Sequence, residues 1–175
     1  MPNWGGPLFA AAVLLMLAAV PKIRYPGDTV RALRSTKLPA SNTLVRVLAV
    51  AEALIGAYAL LVGDRWSAAL VAASYLGFTA FVLLARARGG AVSSCGCFGT
   101  LDTPPTRSHV LVTGLLAAGS AGAVVAPVGS VVSAVGANPA QGVALVLLTG
   151  VCVGLAYLAL AVLPTLALAA APEKS

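Results

Sequence analysis

The chain is poor in charge. Of its 175 residues only 9% are Asp, Glu, Lys or Arg, against about 25% in a soluble globular domain. So thin a polar complement cannot cover a water-facing surface, which excludes a free-standing soluble enzyme. Acidic residues number five and histidine one. Neither a hydrolytic carboxylate pair nor a Ser/His/Asp arrangement has residues at a usable spacing, and no phosphate loop is present. With three cysteines and the lone His109, there is no second cysteine pair to complete a four-ligand metal site. Aromatics are 6% of the chain and do not interleave with basic residues. The net charge of +6 is therefore not the mark of a nucleic-acid partner. Residues 1–6 contain no Lys or Arg, so the basic start of a secretory signal peptide is missing and none is expected.

What is abundant is apolar: 59% of the residues, mostly Ala, Val and Leu. They gather into five runs, Pro7–Ile23, Leu44–Gly63, Trp66–Ala85, His109–Ala126 and Gln141–Leu163. Each is close to the roughly 20 residues that span about 30 Å of hydrocarbon. Backbone in lipid must satisfy its own hydrogen bonds, so each run is expected to be a helix. Residues 1–175 then form a single all-α domain, a polytopic transmembrane bundle whose main partner is the lipid bilayer. Trp4 and Trp66 fall at helix ends, as interfacial aromatics do. Asp64-Arg65 is a tight turn that makes helices two and three a hairpin. The stretch Arg24–Thr43 is polar and basic, and Pro26, Gly27 and Pro39 are expected to break regular structure there. Pro127–Ala140 carries no charge and suits a short interfacial or re-entrant piece.

Charge sets the expected orientation. If all five runs cross, Lys22, Arg24, Arg31, Arg34, Lys37, Arg46, Arg86, Arg88, Arg107 and Lys174 share one face, which is ten of the eleven Lys and Arg. Only Arg65 lies on the other. The positive-inside rule then places the N-terminus outside and the C-terminus on the cytoplasmic side.

Between the third and fourth runs lies Ser94-Cys95-Gly96-Cys97-Phe98-Gly99. Cys95 and Cys97 are one residue apart, and Gly96 would relieve the strain of the small ring a disulfide closes there. Strained bridges are easily reduced, which suits an exchanging pair better than a structural staple. Arg86, Arg88 and Arg107 would favour the reactive thiolate. Structural thiols and a soft-metal site remain alternatives, the latter short of ligands. The charge rule puts this loop on the cytoplasmic side, where thiols are kept reduced. Either one run does not cross, or the pair handles electrons from that side.

Two features sit inside the hydrocarbon. Glu52 interrupts the second run, and an ionisable group at that depth is expected to face the bundle interior with a partner. Lys22 is the nearest cation by depth, and Tyr58, Tyr75 and Tyr157 are neutral candidates. The site could be a clamp between helices, or serve a proton or a quinone. Cys152, within Gly150-Val151-Cys152-Val153-Gly154, is expected to be a small buried residue on a close-packed face, the alternative being a third thiol in an electron relay.

The residues resemble the MauE family of membrane proteins, which is related to DoxX-like proteins. The resemblance is carried by Ala19-Val20-Pro21-Lys22-Ile23-Arg24, by Glu52 and Gly56, and most specifically by Cys95-Gly96-Cys97-Phe98-Gly99. Ala19 and Ile23 depart from the Gly-x-x-Lys-Leu that the family tends to have. The similarity covers roughly residues 8–126, and a fifth helix at about 141–163 lies beyond it. It implies a four-helix core with one additional C-terminal helix. It also implies help with disulfide chemistry in maturation of an exported partner such as the small subunit of methylamine dehydrogenase. On this reading Cys95 and Cys97 exchange electrons, Gly96, Phe98 and Gly99 shape the loop, and Glu52 and Lys22 form a polar site. The partner would be a thioredoxin-fold protein or an exported disulfide protein. No cofactor is assigned, and a quinone is the candidate that fits an electron-transfer role. A non-catalytic scaffold, or a small transporter or metal carrier, are the alternatives.

Overall fold

The structure, a computed structural model, describes residues 4–87 and 107–159. The loop residues Cys95, Gly96, Cys97, Phe98 and Gly99, and the expected end of the last helix at Leu163, lie outside the described residues. Within them every regular element is helical: α1 Gly5–Arg24, α2 Pro26–Ser35, α3 Asn42–Leu61, α4 Arg65–Ala87, α5 Arg107–Val125, α6 Val131–Ala137 and α7 Pro139–Tyr157. Among these, α1, α3, α4, α5 and α7 are long and apolar enough to cross a membrane. They match the five runs in the sequence.

Several helix starts have a local cause. Ser41 Oγ accepts the backbone N–H of Leu44 at 3.1 Å and opens α3. Asp64 Oδ1 accepts that of Ser67 at 2.8 Å and opens α4. Asn138 caps α7 through the N–H of Gln141, with Pro139 in the first turn. Such caps satisfy N–H groups that the helix itself leaves unpaired.

The segment after α1 differs from expectation. Pro26 does not break structure; it occupies the first turn of α2. There its fixed φ is already helical and its missing N–H costs nothing. Pro26, Val30 and Ala32 turn inward while Arg31 and Arg34 face out, so α2 lies amphipathically against α1 and α3. The break comes at Thr36–Ser41, where Lys37 takes a left-handed φ of 57°. The charge-free stretch 127–140 holds the short helix α6, which has no buried residue and packs on α7 and α3.

The bundle is built around α1, which touches α2, α3, α4, α5 and α7. Leu8, Ala11, Ala12, Leu15 and Ala19 are fully buried on it. Small residues set the spacing. A Cβ on Gly56 of α3 would lie 2.6 Å from the carbonyl oxygen of Ala12, so α1 and α3 meet at backbone distance. One end of the bundle is stitched by backbone: Gly129 N–H donates to Gly63 O at 3.2 Å, joining the α3–α4 turn to the chain after α5. Gly122 of α5 lies under the Trp4 ring at that same end. The opposite end gathers α2, the end of α4 and the start of α5, and Ala32 packs with Ala85 and Phe81 there. Of the described basic residues, only Arg65 lies at the stitched end.

Candidate functional site

The carboxylate of α3 and the ammonium of α1 meet inside the bundle. Lys22 Nζ donates to Glu52 Oε2 at 2.7 Å, and the two side chains are 6% and 13% exposed. Glu52 lies ten residues into α3, about 15 Å from the basic end at 1.5 Å per residue. Lys22 starts near the end of α1 and reaches inward along its own stem. Each charge offsets part of the cost of burying the other.

An aromatic residue completes the arrangement. Lys22 Nζ sits 4.6 Å from the centroid of the Phe78 ring on α4, within cation–π range. Phe78 meets Tyr75 edge to face, with centroids 5.6 Å apart and planes at 89°. Tyr75 in turn donates its hydroxyl to the Ala11 carbonyl of α1 at 2.8 Å. The ring that faces the ammonium is thereby held by a neighbour tied to the central helix. Phe78 was not singled out in the sequence. An aromatic three residues after Tyr75 in an apolar helix looks like any packing residue, and only the fold brings it to Lys22.

These groups border a cavity of about 270 Å³. Glu52 and Leu48 of α3, Gly77, Phe78 and Phe81 of α4, and Lys22 line it, with Leu33 of α2 and Leu38 above them. Apart from the ion pair and Thr29 of α2 its walls are apolar. Its position between α2, α3 and α4 places it at the basic end. There α4 ends at Ala87 and α5 begins at Arg107, the two helices that flank the Cys95–Cys97 segment.

The other candidates fall elsewhere. Tyr58 donates to Asp64 Oδ2 at 3.0 Å, at the stitched end, and Tyr75 is engaged with α1. Tyr58 is thus held away from Glu52. His109 is buried at the start of α5. Cys152 was expected to be buried, but it is exposed on α7. The neighbouring Gly150 and Gly154 have no atom of another helix within 4 Å of where a Cβ would stand. The helix is apolar all round, so its composition did not mark which face turns inward. Among the described residues no group of three His, Cys, Asp or Glu stands together as a metal site.

Five helices long and apolar enough to cross a membrane, with an ion pair buried between α1 and α3, define a polytopic α-helical membrane protein. The chain matches the family described as methylamine utilisation protein MauE over residues 4–127 and belongs to that family. The match spans α1 to α5 and includes Lys22, Glu52 and Cys95–Gly99, while α6 and α7 lie beyond it. No curated protein and no solved structure matches the chain.

Proposed function

We propose that this membrane protein of methylamine utilisation carries out thiol–disulfide electron transfer that supports maturation of an exported partner. Cys95 and Cys97 are the exchanging pair. A thiolate of an exchange protein on the loop's own side attacks one sulfur of their disulfide, and the other sulfur leaves and takes up a proton. The second thiol of that exchange protein then displaces the mixed disulfide. The exchange protein loses two electrons and two protons and gains a disulfide, while Cys95 and Cys97 end as two thiols. Gly96, Phe98 and Gly99 shape the loop. On the charge bias, this loop and the C-terminus lie on the cytoplasmic side and the N-terminus outside. A thioredoxin-fold protein on that side is a fitting exchange partner.

The observation that carries this reading is the buried Lys22–Glu52 pair beside its cavity, at the bundle end where α4 and α5 flank the cysteine segment. A charged site kept inside hydrocarbon is costly to build, and an ionisable group there is a functional-site candidate by default.

The test is thiol trapping in intact membranes, followed by maturation assays. Cys95 and Cys97 should alternate between reduced and disulfide states with partner supply. Cys95→Ser and Cys97→Ser should give equally severe maturation defects, with the double variant no worse. Cys152→Ala should be close to neutral, because Cys152 lies on the outer face of α7. Normal maturation with both loop variants would leave a non-catalytic scaffold as the function.

A further inference from the structure

We propose that the cavity beside Lys22 and Glu52 binds the head ring of a membrane-dissolved quinone. The identity of the ligand rests on the electron-transfer reading above; its general chemistry does not. Lys22 and Glu52 cancel each other's charge. An ionic ligand would leave an uncompensated charge in low dielectric, so the site selects a neutral molecule. That molecule needs a polar end, because the pair offers both a donor and an acceptor. The ammonium carries two protons besides the one that Glu52 Oε2 takes. It can donate to a ring carbonyl, and the carboxylate can accept from the hydroxyl of the reduced ring. Both redox forms are thus recognised. Phe78 and Phe81 in the wall suit an aromatic-sized ring.

Access points to the bilayer as the source. Leu48 of α3 is 49% exposed, and Gly77 of α4 is exposed with no atom within 4 Å of where its Cβ would stand. Both line the cavity and both lie on the outer surface of membrane-spanning helices. The mouth therefore opens sideways into lipid. At about 270 Å³ the cavity holds one substituted ring, and the apolar tail would trail between Leu48 and Gly77 into the acyl chains. Oxidation of two thiols to a disulfide releases two electrons and two protons. A quinone takes up the same number in becoming a quinol, so it can reoxidise the pair.

The experiment uses the full chain in phosphatidylcholine nanodiscs and a photoreactive azidobenzoquinone bearing a short alkyl chain. Saturable labelling is expected on the α3 and α4 peptides that carry Glu52 and Phe78. Decyl-benzoquinone should compete, and the same concentration of hexadecanol or oleic acid should not. Gly77→Leu fills the mouth and should weaken binding about tenfold or more, equivalent to roughly 1.4 kcal/mol. Leu48→Phe, on the opposite lip, should do the same if Gly77→Leu fails to fold. Labelling on α1 and α7 at the separate apolar cavity near Thr149 would overturn the proposal. Equal competition by hexadecanol, or unchanged binding in both lip variants, would do so as well. The Cys95→Ser/Cys97→Ser variant should bind the probe as the parent does. Binding that persists while loop variants mature the partner normally removes the thiol reading and keeps the site. Loss of binding alongside cysteine-dependent maturation removes the site and keeps the thiol reading.

Discussion

Glu52 and Lys22 show how much a single residue can declare. A carboxylate inside an apolar run is conspicuous, and so is a cation at the end of the preceding run, so both were legible before any fold was known. What was not legible was Phe78, whose role exists only because α4 lies beside α1 and α3. Breaking the pair should be costly. Glu52→Leu strands the Lys22 ammonium in a buried site and should destabilise the protein by about 3 kcal/mol. Glu52→Gln keeps an oxygen that can accept from Lys22 Nζ and should cost less. Adding Lys22→Met to Glu52→Leu should recover much of the loss, because no charge is then left unpaired. Thermal unfolding in detergent, arranged as a double-mutant cycle, measures all three. A double variant no more stable than Glu52→Leu alone would show that the pair's electrostatics are not what holds this region.

At the scale of elements, the five spans were readable because lipid demands helices of one length and one composition. The same uniformity hid the faces. Nothing in the sequence of α7 distinguishes Cys152 from its neighbours, and its outward placement follows from which side α1 happens to cover. The amphipathic helix α2 was missed for another reason: Pro26 acts as a breaker inside a helix and as a starter in its first turn. Two predictions belong here. Gly56→Val should separate α1 from α3, since even a Cβ would lie 2.6 Å from Ala12 O and 2.7 Å from Met16 Cγ. Overpacking of this kind costs about 2 kcal/mol, and a melting temperature equal to that of the parent would contradict it. The cap of α4 should be pH-dependent. Asp64 is held below its ordinary carboxyl value of 3.8, chiefly by the Ser67 backbone N–H. Its stabilisation is therefore complete above that value and is lost as pH falls through the lower folded one. Asp64→Asn should retain the cap without this acid sensitivity. Asp64→Ala should lower the melting temperature by a few degrees at neutral pH. Unfolding curves between neutral and strongly acidic pH distinguish the two.

For the whole molecule, the order and number of spans could be read from the chain, but not which helix stands in the middle. All five are apolar enough for that place, and only packing assigns it to α1. Sidedness is open to direct measurement. Single-cysteine variants retaining Cys95 or Cys97 should resist a membrane-impermeant maleimide in intact cells and react once the membrane is opened. Labelling from outside would reverse the orientation inferred from the charge bias. The central place of α1 also bears on how the protein is made. α1 leaves the ribosome before every helix that will enclose it, and Glu52 follows Lys22 by 30 residues. During that interval Lys22 has only headgroups and water to reach for, and it can hold that position by extending its stem toward the interface. Synthesis thus proceeds from the inside outward, with each later helix wrapping one already present. An error in α1 would not be confined to one helix, because α3, α4, α5 and α7 would each reach the membrane without the surface they assemble on.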